Sequence, residues 1–263
     1  MKRAMIILAL SACRTSTPAA SKDVGAGGPA IDAAPVDAAA PEDAAPEASP
    51  TQREIGPFEL PFDGSRTVYF VAPRKSGPAR LIANLHGVCN PPGYACGYWV
   101  QAAADVGFLV CPTGNSTCGP KGPPTWTEPM TKMDEDLERA IAVVDAKYPG
   151  DVSRDGAVLT GFSLGAYAAA NIARTHPGRW PYLILTEANV ELDAASLQKA
   201  GVRAVAMLAG ERGAMIGPQK RTIAKLEKQG FPARFWTMKD AGHHYSADID
   251  TLMAEAIAFV IAQ

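Results

Sequence analysis

The chain has 263 residues, 25 basic against 27 acidic side chains and a formal net charge of −2, a balance that offers no electrostatic footprint for nucleic acid. Apolar residues make up 47% and charged residues 20%, the proportions of a soluble globular protein, and no apolar run reaches the ~20 residues that span a bilayer. Five cysteines, 24 glycines and 22 prolines fit neither a small disulfide scaffold nor a collagen-like repeat.

The N-terminus reads as an address. Met1-Lys2-Arg3 is charged, Ala4 to Leu10 is apolar, and small residues follow at Ser11-Ala12, the order of a secretory signal. Leu10-Ser11-Ala12-Cys13 resembles the bacterial lipobox, whose cysteine is diacylated and becomes the new N-terminus. Residues 1–12 are therefore expected to be a lipoprotein signal peptide and Cys13 a lipid anchor on the cell envelope. The alternative is an ordinary secretory signal in which Cys13 is incidental. Arg14 stands where many inner-membrane lipoproteins carry Asp, so the resemblance favours the outer membrane. After Cys13, residues 14–52 hold 12 alanines, six prolines and six acidic residues with few large apolar side chains. Such a segment buries too little surface to offset its ordering entropy, and residues 13–52 read as a disordered, Pro-stiffened linker. Without the leader and linker, the domain at 53–263 carries 21 residues of each sign.

From Arg53 onward, short apolar runs alternate with amphipathic stretches, which predicts an α/β domain. Strands are expected at Thr67–Val71, Leu81–Leu85, Phe108–Cys111, Ala157–Thr160, Tyr182–Thr186, Ala204–Leu208 and Arg234–Met238. The later ones are apolar on both faces, the mark of a mainly parallel sheet. Helices are expected where Leu137, Ile141, Val144 and Tyr148 recur, from Ala166 to Arg174 before Pro177-Gly178, and where Ile249, Leu252, Met253, Ala256 and Val260 recur.

Gly161-Phe162-Ser163-Leu164-Gly165 lies between the strand at 157–160 and an alanine-rich helix. In a tight strand-to-helix turn the two glycines relieve close contacts and the serine hydroxyl is exposed, the context of a nucleophile elbow. A plain glycine-rich βα turn is the alternative. With this motif in place, residues 55 to 263 resemble the α/β-hydrolase superfamily: a mainly parallel central sheet flanked by helices. The run from His86-Gly87 through Gly107–Val110 and Pro112-x-Gly114-Asn115 to the elbow looks more loosely like extracellular polyhydroxybutyrate-depolymerase and feruloyl-esterase relatives. The resemblance implies that Leu85-His86-Gly87-Val88 is the oxyanion loop, with the Val88 and Leu164 backbone amides as donors. His86 is expected to order that loop through its ring, and His176 to be a surface residue at a helix end.

A serine nucleophile needs an imidazole base carried by a loop after the last strand. Ala241-Gly242-His243-His244-Tyr245 occupies that place, with His243 preferred and His244 in reserve. The orienting acid departs from the family pattern. Gly210-Glu211-Arg212-Gly213 places glycine where relatives usually carry Asp, leaving Glu211 in that loop, Glu187 one strand earlier, and Asp240 and Asp193 behind them. A solvated loop carboxylate is the plain reading of each.

Four cysteines remain in an exported domain, which implies two disulfides. Cys89–Cys96 with Cys111–Cys118 is the favoured pairing, each closing a short Pro/Gly/Asn-rich loop. Tyr94, Tyr98, Trp99 and Trp126 near these loops suggest an aromatic cleft or ordinary loop packing. The expectation is a monomeric, envelope-anchored serine hydrolase of small or polymeric esters, with no metal or organic cofactor. A peptidase on the same fold and a catalytically inactive binding module, motivated by the missing Asp, are the competing readings.

Overall fold

The computed structural model describes residues 53–127 and 129–263. The expected signal peptide, Cys13 and the 13–52 linker lie outside the described residues. In chain order the elements are β1 Phe58–Asp63, β2 Arg66–Val71, β3 Ala79–Leu85, α1 Pro92–Tyr98, α2 Val100–Ala104, β4 Gly107–Pro112, β5 Ser116–Thr117, β6 Pro124–Thr125 and α3 Met130–Lys147. There follow β7 Val152–Phe162, α4 Leu164–Thr175, β8 Tyr182–Thr186, α5 Ala194–Lys199, β9 Ala204–Gly210, α6 Ile216–Lys228, β10 Ala233–Met238 and α7 Ile249–Ile261.

Eight strands form one sheet in the order β1-β2-β4-β3-β7-β8-β9-β10, and β5 pairs with β6 in a separate hairpin. The six strands from β4 to β10 run parallel, while β2 is antiparallel to both β1 and β4. β8 and β9 are buried at every residue, as expected of strands covered on both faces. β10, at the edge, alternates buried Ala233, Trp236 and Met238 with exposed Arg234 and Thr237.

Two cores sandwich the sheet. On one face lie α3, α4, α5 and α6, contributing Leu137, Ala169, Leu197 and Leu226. On the other lie α1, α2 and α7, contributing Ala95, Ala103 and Met253. α4 lies close to the strands because Ala166, Ala168, Ala169, Ala170 and Ala173 are small and buried. Among the described residues no helix is long and apolar enough to cross a membrane.

The strand order reverses direction at β3. From β3 the chain goes through α1 and α2 to β4 on one side, then returns through α3 to β7 on the other. β3 and β7 are therefore neighbours whose following helices depart to opposite faces, a switch point where parallel sheets open at their carboxyl ends.

All seven expected strands are present. β1 escapes sequence reading because Pro61 interrupts a half-buried edge strand. α6 escapes because Gly217-Pro218 reads as a break, although proline is compatible with a helix's first turn.

The disulfides correct the favoured pairing: they are Cys89–Cys118 and Cys96–Cys111, with Cα atoms 5.6 and 6.3 Å apart. Proximity in sequence misleads here because Cys96 and Cys111 are both buried in the core beneath α1, where Cys111 points inward from β4. Cys89 instead lies beside the β5–β6 hairpin, where the Asn90 amide donates to Pro124 O at 3.1 Å. The chain-entropy contribution of loops of 15 and 29 residues is about 3 kcal/mol each. Replacing either pair by serines is expected to lower the melting temperature of this 211-residue domain by roughly 6–12 °C, measured by calorimetry.

Candidate active site

Ser163 follows β7 with φ 52° and ψ −117°, a left-handed backbone that costs a non-glycine residue of order 1–3 kcal/mol. The turn persists because its surroundings fix it. The Ser163 amide donates to Thr186 O at 2.9 Å, and α4 starts at the next residue. A Cβ on Gly165 would lie 1.9 Å from Leu85 O, and one on Gly161 would lie 2.3 Å from the Gly165 carbonyl carbon. Only glycine permits that approach of helix to strand.

Register places the next component. Phe162 is paired with Thr186, so Ser163 and Glu187 each come one residue past the paired ends of adjacent strands. Glu187 also has positive φ, at 55°, and its amide donates to Leu208 O at 2.9 Å on β9. Its carboxylate is fully buried. Oε1 accepts the Gly210 backbone N–H, and Oε2 lies 3.0 Å from His243 Nδ1. His243 Nε2 in turn lies 3.0 Å from Ser163 Oγ. An ionised carboxylate can only accept, so Nδ1 carries the imidazole proton and Nε2 is left to accept from the serine hydroxyl.

The other candidates lie elsewhere. Glu211, one residue beyond β9, has its Oε2 accepting the Asp240 amide at 3.1 Å. Asp240 is paired with Arg212, and Asp193 caps α5 by accepting from the Ser196 amide at 2.9 Å. His244 has its Nδ1 2.9 Å from Tyr245 O and its Nε2 3.2 Å from the Gly242 amide. His176 contacts Asp134 at 2.9 Å.

Gly213 lies close to the Glu187 carboxylate. A Cβ there would stand 3.4 Å from Glu187 Oε2. A carboxylate at position 213 would therefore be set beside that of Glu187.

His86-Gly87-Val88 lies directly against the elbow, since a Cβ on Gly87 would be 3.1 Å from Ser163 Cβ. Among the described residues neither the Val88 nor the Leu164 backbone N–H has a hydrogen-bond acceptor. Val88 is half exposed. The buried His86 ring holds the loop: Nδ1 donates to Gly87 O at 2.8 Å, and Nε2 accepts the Gly114 amide at 2.9 Å. Trp126 stacks on that ring at 4.8 Å and donates its indole N–H to His86 O at 3.0 Å. Trp126 and the fully buried Trp99 are thereby packing residues. Tyr94 stacks on Tyr245 at 4.9 Å and accepts its amide at 2.9 Å, and the Phe162 ring lies 5.2 Å from His243. Exposed Tyr98 leans on the same group. Among the described residues no group of three His, Cys, Asp or Glu side chains could hold a metal ion.

Burial lowers the His86 pKa to about 4 from its ordinary 6.5. The unfolded chain therefore takes up this proton first as pH falls, so the stability is present above about 6.5 and is lost on acidification toward 4. The loss reaches about 3 kcal/mol near pH 4. Denaturant unfolding between pH 7 and 4 is expected to show this decline in the native chain and a shallower one in His86→Gln.

No family model and no curated protein matches this sequence. Solved structures do resemble it. An S-formylglutathione hydrolase, FrmB, from Staphylococcus aureus is 13% identical with a TM-score of 0.57, the match covering 82% of this chain and all of that one. FphF, a fluorophosphonate-binding serine hydrolase of the same organism, is 15% identical with a TM-score of 0.54, covering 74% and 92%. A ferulic acid esterase is 14% identical with a TM-score of 0.53, covering 79% and 98%. With the sheet order and the elbow described above, these likenesses establish the architecture: the chain has the α/β-hydrolase fold.

Proposed function

We propose that the domain is a serine hydrolase that cleaves carboxylic esters through an acyl-enzyme. The observation that carries this reading is the continuous chain of hydrogen bonds from Ser163 Oγ through His243 to the buried Glu187 carboxylate. His243 Nε2 takes the hydroxyl proton as Ser163 Oγ attacks the acyl carbonyl, and the imidazolium then gives that proton to the departing alkoxide. Water enters by the same route: it loses a proton to Nε2 as its oxygen bonds the acyl carbon, the acyl–Oγ bond breaks to release the acid, and the imidazolium returns the proton to Ser163 Oγ. Glu187 holds the ring and offsets its positive charge, while the Val88 and Leu164 amides receive the oxyanion. A carboxylate beside His243 weighs against the inactive binding module, whose motive was a missing acid. That the fold's similar structures include hydrolases and an esterase is in keeping with this reading.

We further propose that Cys13 is diacylated and tethers the domain to the bacterial envelope, in the outer membrane, with residues 13–52 as spacer. Small or polymeric esters could then reach a monomeric domain whose His243 side chain is 53% exposed.

The full chain is expected to label with a fluorophosphonate probe and to hydrolyse p-nitrophenyl acetate. Ser163→Ala and His243→Ala should each lose roughly a millionfold in kcat, and Glu187→Gln about 10³- to 10⁴-fold, whereas Glu211→Gln should change it less than about twofold. A folded native chain that neither labels nor turns over esters would remove the hydrolase reading. For the anchor, cells fed a palmitate analogue are expected to incorporate it into the native chain and not into Cys13→Ser, which should leave the membrane fraction.

A further inference from the structure

We propose that Gln219 is a positioning residue for the Ser163–His243–Glu187 array, an inference that rests on the hydrolase reading above. Gln219 lies in the first turns of α6 and is fully buried. Its side-chain Nε2 donates to Leu185 O at 3.3 Å and to Ala188 O at 3.1 Å. One carbonyl precedes Glu187 by two residues and the other follows it directly, so a single amide spans the left-handed turn that aims the carboxylate at His243.

The chemistry of the amide points the same way. Both contacts are to carbonyl oxygens, which fixes the nitrogen toward the turn, because the flipped amide would set oxygen against oxygen. Gln219 Oε1 then has no hydrogen-bond partner among the described residues. A buried acceptor left unpaired is destabilising. A residue serving only to pack α6 on the sheet would be apolar, as Ile223 and Leu226 are. The amide's cost is offset by what its two N–H groups hold: the backbone of a residue whose φ of 55° would otherwise relax. Thr222, one turn along, reaches the same loop through Val190 O at 3.4 Å, but beyond the Glu187 turn, and so provides a control.

The test uses the full chain and its Gln219→Met, Thr222→Val, Glu187→Gln and Gln219→Met/Glu187→Gln variants. Gln219→Met keeps the length and removes both donors. It is expected to lower kcat for p-nitrophenyl acetate about 10- to 100-fold with KM within about twofold, while Thr222→Val keeps the native kcat. The double variant should be no slower than Glu187→Gln, since both changes act through one carboxylate. The low-field Nδ1–H proton resonance of His243 should weaken in Gln219→Met as in Glu187→Gln, and persist in Thr222→Val. Native kcat with a retained resonance in Gln219→Met, or losses that multiply in the double variant, would overturn the proposal. If the native chain hydrolyses no ester, the hydrolase reading fails, and the resonance alone decides whether Gln219 sets the Glu187–His243 contact. Should Gln219→Met not fold, Gln219→Asn, too short to reach both carbonyls, supplies the same readouts.

Discussion

The parallel pairing of β7, β8 and β9 is the constraint on which the site depends. Phe162, Thr186 and Leu208 lie in register across three buried strands, so the residues that leave them do so at one level of the sheet. Ser163 and Glu187 emerge side by side, and the Gly210 amide at the end of β9 meets the Glu187 carboxylate from the far side. Each turn is tied to the neighbouring strand by one more ladder bond, Ser163 to Thr186 and Glu187 to Leu208. A slip of register by one residue would send these side chains to the other face. Because β8 and β9 are buried throughout, such a slip would require two cores to repack.

That rigidity supports local strain. Ser163 and Glu187 both hold positive φ, each costing of order 1–3 kcal/mol. Strain of this kind persists only where the surroundings over-determine the backbone. Around Ser163 the determinants are steric: Gly161 and Gly165 let α4 sit against β3 and β7 at distances that any side chain would block. Around Glu187 they are polar, combining the Leu208 and Gly210 backbone with the buried Gln219 amide. His243, more exposed and on a loop, is placed by the two groups it joins and by the Phe162 ring.

The His86–Val88 loop is held by different means, because it lies outside the ladder. His86 and Trp126 clasp it to the segment that follows β4, and Cys89–Cys118 ties the residue after Val88 to the β5–β6 hairpin. His86 does this as a neutral ring, with one nitrogen donating and the other accepting, which its depressed pKa preserves through the neutral range. The two halves of the site thus rest on separate supports, a sheet register for the Ser163–Glu187 side and a buried side-chain clasp with a disulfide for the Val88 side.

The α/β class, the seven principal strands and the Gly161–Gly165 turn were legible in the chain, because each depends on local pattern: apolar runs and glycines about a serine; His243 was the preferred of two adjacent histidines, and its Nε2 lies 3.0 Å from Ser163 Oγ. The chain also carried four acid candidates, Glu211 and Glu187 ahead of Asp240 and Asp193, without choosing between the first two. Tertiary structure separates the first two, since Glu187 Oε2 lies 3.0 Å from His243 Nδ1 whereas Glu211 Oε2 accepts the Asp240 amide. Gly213, where the resemblance led to the expectation of Asp, lies beside Glu187 Oε2. The cysteine pairing was decided in the same way, by strand order and helix placement bringing together residues 15 and 29 apart in the chain. Gln219 had no signal at all, because a polar residue in an amphipathic helix reads as solvent-facing until the fold buries it over a strained turn. Local pattern fixes what each segment becomes, whereas side-chain partnership across segments depends on register and packing, which no single segment contains.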